Sequence, residues 1–375
     1  MIVFTTPIDE DVLKMAYNNN IIKFATEETQ APLYCHMDGG FSVTLYPGPD
    51  NSFYYNFKDI IASRINTNNF EDHQITNIIN SEPASFIYES TSGSYLYTTI
   101  SIEIGFPGNI YQSTNLQIHW LAGVEQLGEN RKFKIEDVFI MSPIYGLSNN
   151  INYLKYWQGY PFDISIYNGS QQLKVYHNSN QLELNFDNVA RVSRLFISDG
   201  RTDESLEDIL PLFEGLNSIT ISNNNTDEFH LSLQKVAYKC GVYIKWFNKY
   251  GGYNYWLFED TSSIDRTIKS LGELDRDFSN PNETFTRAIQ IGKESQDTIR
   301  VTAELLSEEE RSIVAGIMDS PKIYLFTGQP FSRAFPENWV EISLKTSSAR
   351  IKNPKQQLTN FVFDFDLPQR YTQTL

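Results

Sequence analysis

Residues Tyr95–Ile104 read YLYTTISIEI. β-Branched and aromatic side chains dominate the run, and Thr98, Ile100, Ile102 and Ile104 fall on every second position. In an extended strand those four share one face, while Tyr97, Thr99, Ser101 and Glu103 share the other. The period is two, and the run stops before Phe106-Pro107-Gly108, where proline and glycine favour a turn. The same grammar repeats outward in both directions. Toward the N-terminus, Phe41–Tyr46 (FSVTLY) ends at Pro47-Gly48-Pro49-Asp50. Toward the C-terminus the runs are Leu116–Leu121, Phe133–Met141, Phe162–Tyr167, Gln172–His177, Gln181–Phe186 and Val192–Ser198. Ser218–Ser222, Phe229–Tyr238, Val242–Phe247 and Tyr253–Phe258 follow, then Thr284–Ile291, Thr298–Ala303, Lys322–Thr327, Val340–Thr346 and Thr359–Leu367. Two-residue Gly-Ser and Ser-Asn turns lie among them, a hairpin signal. This spacing predicts a mainly β chain of two or more antiparallel sandwich or barrel domains, not alternating βαβ units.

Two helices break the pattern. Phe57, Ile60, Ile61 and Ile65 recur at helical spacing and predict a helix over Tyr54–Asn66. Ser307 followed by Glu310 forms a capping box, in which each side chain satisfies a free N–H of the first turn. Ile313, Val314 and Ile317 then share a face, and Ser320-Pro321 stops the helix. In Leu206–Phe213, Leu206, Ile209, Leu210 and Phe213 share a face, but Pro211 interrupts it, so only a short turn of helix is expected.

The 375 residues suffice for two or three domains. An Asn-rich boundary near Gly146–Tyr153 and a second break near Asp275–Asn282 divide them into 1–148, with the first helix, 149–278 and 279–375. Phe41–Asp59 and Val242–Asp260 align without gaps, matching Tyr54 with Tyr255, Phe57 with Phe258 and Asp59 with Asp260. The match fits either a duplicated unit or chance similarity of two aromatic-rich hairpins.

Hydrophobic residues make up 41% of the chain, enough for a sizeable core and against wholesale disorder. Thirty Lys+Arg against 46 Asp+Glu leave a net charge of −16, which argues against a phosphate-binding groove and sequence-specific nucleic acid binding. No apolar run approaches the roughly 20 residues that span a bilayer, and the first residues carry acids where a secretory signal carries positive charge. Synthesis in a cytoplasm and no membrane insertion are expected. Cys35 and Cys240 read as two buried thiols.

No catalytic signature stands out. GxSxG, the phosphate-binding GxxxxGK[ST] loop and GxGxxG are absent. His36, His73, His119, His177 and His230 have no metal-ligand spacing, so neither a metal nor a cofactor is expected. Glu71-Asp72-His73 reads as a solvated loop, and Asp364 and Asp366 as a solvated strand face. The aromatic stretches Tyr153–Tyr160 and Trp246–Trp256 read as core or interface. As an alternative function, Trp157, Tyr160 and Trp256 offer stacking positions for a carbohydrate or receptor-binding β-protein that recognises a bacterial surface glycan.

Several segments carry a family likeness. WQGYPFDISIY (Trp157–Tyr167) and YIKWFNKYGGYNYWLF (Tyr243–Phe258) resemble uncharacterised tail-region proteins of phages infecting Bacteroidota. So do LYPGPDNSFYYNFKDI (Leu45–Ile60) and, toward the C-terminus, LLSEEERSIVAGIMDSPKIYL, WVEISLKTSSARI and LTNFVFDFDLP. The resemblance implies a structural virion protein of the tail tip, such as a distal tail or baseplate-hub ring component, and not an enzyme. It implies tail-tube-like β domains, each accompanied by a helix, with 279–375 completing one of them. The implied partners are further copies, in a trimeric or hexameric ring, and neighbouring tail proteins; the implied location is the virion tail. The contact residues expected for such an assembly are Tyr250, Tyr253 and Tyr255, then Pro47, Asp50 and Phe53, and Phe361, Phe363 and Phe365.

Overall fold

A computed structural model describes residues 1–72, 78–79, 82–128, 132–145, 151–201, 205–224, 228–259, 262–275, 282, 288–346, 348–349 and 358–374. The fold is mainly β, and the described residues form five sheets. Most pairings are antiparallel; Ile151–Trp157 runs parallel to Glu228–Val236, and Lys14–Met15 to Ile110–Leu121.

The first body joins two sheets. Ile2–Thr6, Ile21–Thr26 and Phe53–Asn56 form a three-stranded sheet. A five-stranded sheet carries the hairpin Tyr95–Phe106 and Ile110–Leu121 at its centre. The predicted alternation holds there: Ile100, Ile102 and Ile104 are buried, and Thr99 and Ser101 face solvent. The next body is a sandwich. Its four-stranded sheet contains Val138–Ile140, Pro161–Asn168, Val192–Asp199 and Ile87–Glu89, and its six-stranded sheet is centred on Gly215–Ser222 and Glu228–Val236. The last sheet has seven strands, in spatial order Tyr253–Glu259, Gly241–Phe247, Ile323–Phe326, Trp339–Leu344, Thr359–Asp366, Ala288–Leu306 and Ser262–Asp275. It rolls on itself, so that Phe258 meets Phe363 edge-on with ring centroids 6.0 Å apart. One continuous core runs through all three bodies.

The predicted boundaries at 148 and 278 shift accordingly. Ile87–Glu89 and Val138–Ile140 belong to the middle sandwich, and Gly241–Asp275 belongs to the last sheet. Sheet partners far apart in sequence set these limits, not local composition. Residues 146–150 and 276–281 of the expected linkers lie outside the described residues.

The capped helix forms as read. The Glu310 N–H donates to Ser307 Oγ at 3.3 Å and the Ser307 N–H to Glu310 Oε2 at 3.0 Å. Glu308–Val314 continues as a 3₁₀ turn over Ala315–Asp319, with Ile313, Val314 and Ile317 buried. The first helix is shorter than predicted, Lys58–Ile65, because Phe53–Asn56 pairs with Ile21–Phe24 instead. Leu206–Asp208 is the expected short turn.

The two aligned segments do not form equivalent units. Gly241–Phe247 and Tyr253–Glu259 make a hairpin in full register, whereas Ser42–Leu45 and Phe53–Asn56 enter different sheets. Tyr54 is 57% exposed and Tyr255 is buried; Asp260 lies outside the described residues.

Most residues expected at contacts are core residues. Phe361, Phe363 and Phe365 point inward from Thr359–Asp366, and Phe53, Tyr253 and Tyr255 are also buried. Alternation along a strand cannot by itself say which face is covered. Pro47 and Tyr250 are partly exposed and Asp50 is exposed. The Phe363→Ala variant is expected to lose about 3–5 kcal/mol of stability and Ser307→Ala about 1 kcal/mol, both read by denaturant unfolding. Unchanged stability in the first would return Phe363 to a contact role.

Candidate functional site

Three strands that are buried on both faces each carry a charge inside a largely apolar run: Asp163 in Pro161–Asn168, Arg194 in Val192–Asp199 and Lys245 in Gly241–Phe247. A lone buried charge is far costlier than a paired one. Here all three converge, together with Asp72 from the segment after the first helix. Arg194 grips Asp163 with two bonds, Nε to Oδ1 at 2.9 Å and Nη2 to Oδ2 at 2.6 Å. Its Nη1 reaches Asp72 at 2.8 Å, and Lys245 Nζ reaches the other Asp72 oxygen at 2.6 Å. Tyr255 and Tyr88 hydroxyls donate to Asp163 at 2.9 and 3.2 Å. Lys245 Nζ also lies 4.2 Å from the Trp339 ring centroid, a cation–π contact that holds the ammonium away from water. Two cations face two carboxylates, so the formal charge cancels.

Burial pushes the Asp72 carboxyl up, but Arg194 and Lys245 outweigh it and hold the group below the usual carboxylate value. Burial lowers the Lys245 ammonium, against the opposing pull of Asp72. Burial also raises the Tyr255 and Tyr253 hydroxyls well above their usual value. Asp163 adds to this at Tyr255 and Asp72 at Tyr253. The adjoining cavity, lined by Phe335, Pro336 and Trp339 among others, is about 60 Å³ and has room for a few waters. The arrangement holds charge in place and joins all three bodies of the fold. The sequence reading placed Asp72 in a solvated loop; its side chain is 3% exposed, because Arg194 and Lys245 supply the partners that make burial tolerable. His73 lies outside the described residues. The overlooked signal was the single charge inside VYIKWF, VSRLFIS and FDISIY.

The three expected stacking residues have no free ring face. Trp157, Tyr160 and Trp256 are 1%, 3% and 4% exposed. Trp157 packs edge-on to Trp256 at 5.1 Å and donates from Nε1 to Glu259 at 3.3 Å, and Tyr160 donates to the Lys239 carbonyl at 3.0 Å. Trp256 borders a cleft of about 440 Å³, but the ion pairs Lys155–Glu310 and Lys239–Glu259 line it. Among the described residues, no group of three or more His, Cys, Asp or Glu could hold a metal ion. Cys35 is buried, and burial pushes its thiol up to about 12; Cys240 is exposed, against expectation, because it lies just ahead of the first strand of the last sheet. Asp364 and Asp366 keep a solvent-side position, with Arg300 Nε donating to Asp364 at 2.7 Å and Thr298 Oγ1 to Asp366 at 2.7 Å.

A second feature is an arm that the alternation did not predict. Ser262–Asp275 is the outer strand of the seven-stranded sheet and, among the described residues, pairs with Ala288–Leu306 alone. Ile264, Ile268 and Leu271 are spaced four and three apart, as on a helix, which hides the strand. The register places Ile264 in a row with Ile299 and Phe365, both buried. The core side of the sheet therefore continues along the arm beyond any cover, leaving Ile264 63% and Ile268 59% exposed. Arg266 anchors the arm to Asp297 with two bonds, at 2.6 and 3.0 Å. Those hydrogen bonds, with help from Arg370, lower the Asp297 carboxyl to about 2.

No family model matches the chain, and no curated protein does. Among solved structures, the chain is similar to fibronectin(III)-like modules of CbhA from Clostridium thermocellum, with 6% identity over 63% of this chain and 95% of that one, at a TM-score of 0.20. It is also similar to a tetra-tandem repeat from the extending region of a large adhesion protein, with 12% identity over 88% and 66%, at a TM-score of 0.25. For the insect immune protein hemolin the values are 8% identity over 80% and 72%, at 0.21.

Replacing Asp72 by Ala leaves Lys245 in the core without its bonded carboxylate and Arg194 with Asp163 alone, and the expected loss is about 3–5 kcal/mol by denaturant unfolding at neutral pH. Because the folded Asp72 carboxyl lies below its usual value, its contribution is present above pH about 4 and fades as pH falls below that. The acid limb of the stability profile should therefore be shallower in Asp72→Ala than in the parent.

Proposed function

We propose that this chain is a structural virion protein of a phage tail tip, a distal tail or baseplate-hub ring component that acts by oligomeric assembly and by docking neighbouring tail proteins. It is made in the host bacterial cytoplasm and built into the tail. The observation that carries this reading is the arm. A fourteen-residue edge strand that leaves Ile264 and Ile268 exposed is an association surface, and isolated proteins normally blunt such edges. The buried charge cluster supports it from the other side: its members bind one another and leave no free group for substrate chemistry. A ring component has no need of catalysis, a cofactor, a nucleic acid site or membrane insertion. The likeness of Trp157–Tyr167, Tyr243–Phe258 and the C-terminal segments to phage tail-region proteins supplies the setting.

The test is direct. Quantitative mass spectrometry of purified phage particles should find the protein at three or six copies per tail, and an antibody against it should label the tail tip in electron micrographs. Particles that lack the protein, or carry it away from the tail, would overturn the reading.

A further inference from the structure

We infer that, in the free protein, the arm edge Ser262–Asp275 pairs antiparallel with the same edge of a second copy, about a two-fold axis at Thr267. The argument starts from what could cover this edge. Among the described residues, no strand pairs with the outer backbone edge of Ser262–Ser270. The other edge of the same sheet, Tyr253–Glu259, cannot receive it, because that strand is buried and packs on Ile151–Trp157 and Pro161–Asn168. The edge strands of the remaining sheets are at most five residues long, as in Ile2–Thr6 and Leu182–Phe186, and would leave most of the arm bare. Only a second arm matches its fourteen residues.

Charge then selects the register. With Thr267 on the axis, Asp265 of each copy faces Lys269 of the other, so the pair forms twice. Both side chains are exposed. Arg300, the cation that acts on Asp265 from the next strand, is already held by Asp364. Moving the axis by one residue loses both pairs: centred on Arg266 it sets that cation against its own copy, and like charges directly opposite are destabilising, while centred on Ile268 it sets Lys269 against Thr267 and Asp265 against Leu271. Registers centred beyond Ser270 run through the bulge at Gly272, where the ladder is broken. On the opposite face, the chosen register brings Ile264 of one copy diagonal to Ile268 of the other, within side-chain reach. The result pairs the open backbone edge and extends the sheet to fourteen strands.

The experiment uses the full chain. Mass photometry and sedimentation should show a dimer. Asp265→Lys should weaken it about tenfold or more, since two attractive pairs become repulsive. The double variant Asp265→Lys/Lys269→Asp should restore it to within a few-fold. In a Cys240→Ser background, Thr267→Cys should form an intermolecular disulfide under mild oxidation, because residues on the axis of an antiparallel pair lie at bridging distance; Leu274→Cys should not. A monomer, a dimer indifferent to the charge reversal, or no cross-link at Thr267→Cys would overturn the pairing. Both readings draw on the arm, but their tests are separate: these outcomes decide the pairing, and the composition of particles decides the virion assignment.

Discussion

The burial of Asp72 between Arg194 and Lys245 is the constraint on which the rest of the structure depends. Neither cation could sit inside its strand without a carboxylate, since desolvating an unpaired charge is among the costliest events in folding. Asp163 bonds directly to Arg194, with the Tyr255 and Tyr88 hydroxyls as its further donors. Asp72 completes both, and it arrives from the first body of the chain while its partners belong to the second and third. The three bodies are thereby set against one another at a single point, and the aromatic ring contacts of Tyr253, Tyr255, Tyr324 and Trp339 close around it.

The arm is the opposite case. Inside the molecule the apolar rows are covered on both sides and the charges are matched. Along Ser262–Asp275, Ile264 and Ile268 are exposed on the side that is core further in, and among the described residues no strand pairs with the outer edge. Arg266 and Asp297 fix the arm to its neighbour, so its edge is presented by a braced strand. Most of the aromatic residues are spent elsewhere, on holding the bodies together.

Much of this was legible in the residues. Alternation in Tyr95–Ile104 and its repeats described the strands correctly, because burial on one face imposes a period of two wherever the other face is wet. Ser307 and Glu310 located the second helix through purely local hydrogen bonds. Local signals failed where coverage depends on distant chain. Phe361, Phe363 and Phe365 look the same in sequence whether their face meets the core or a partner. Trp157, Tyr160 and Trp256 likewise look the same in a groove or a core.

By itself, then, the sequence determined that the chain is mainly β, where most strands run and where the capped helix begins, because these follow from periodicity and contacts within a few residues. Only the tertiary structure decided that Asp72, Asp163, Arg194 and Lys245 neutralise one another, that the last sheet takes in Gly241–Asp275, and that Ile264 and Ile268 stay uncovered. Each of these rests on which surfaces meet across a hundred or more residues or within a sheet assembled from distant strands. Pairing of charges and covering of apolar faces are properties of such meetings, and no short stretch of residues contains them.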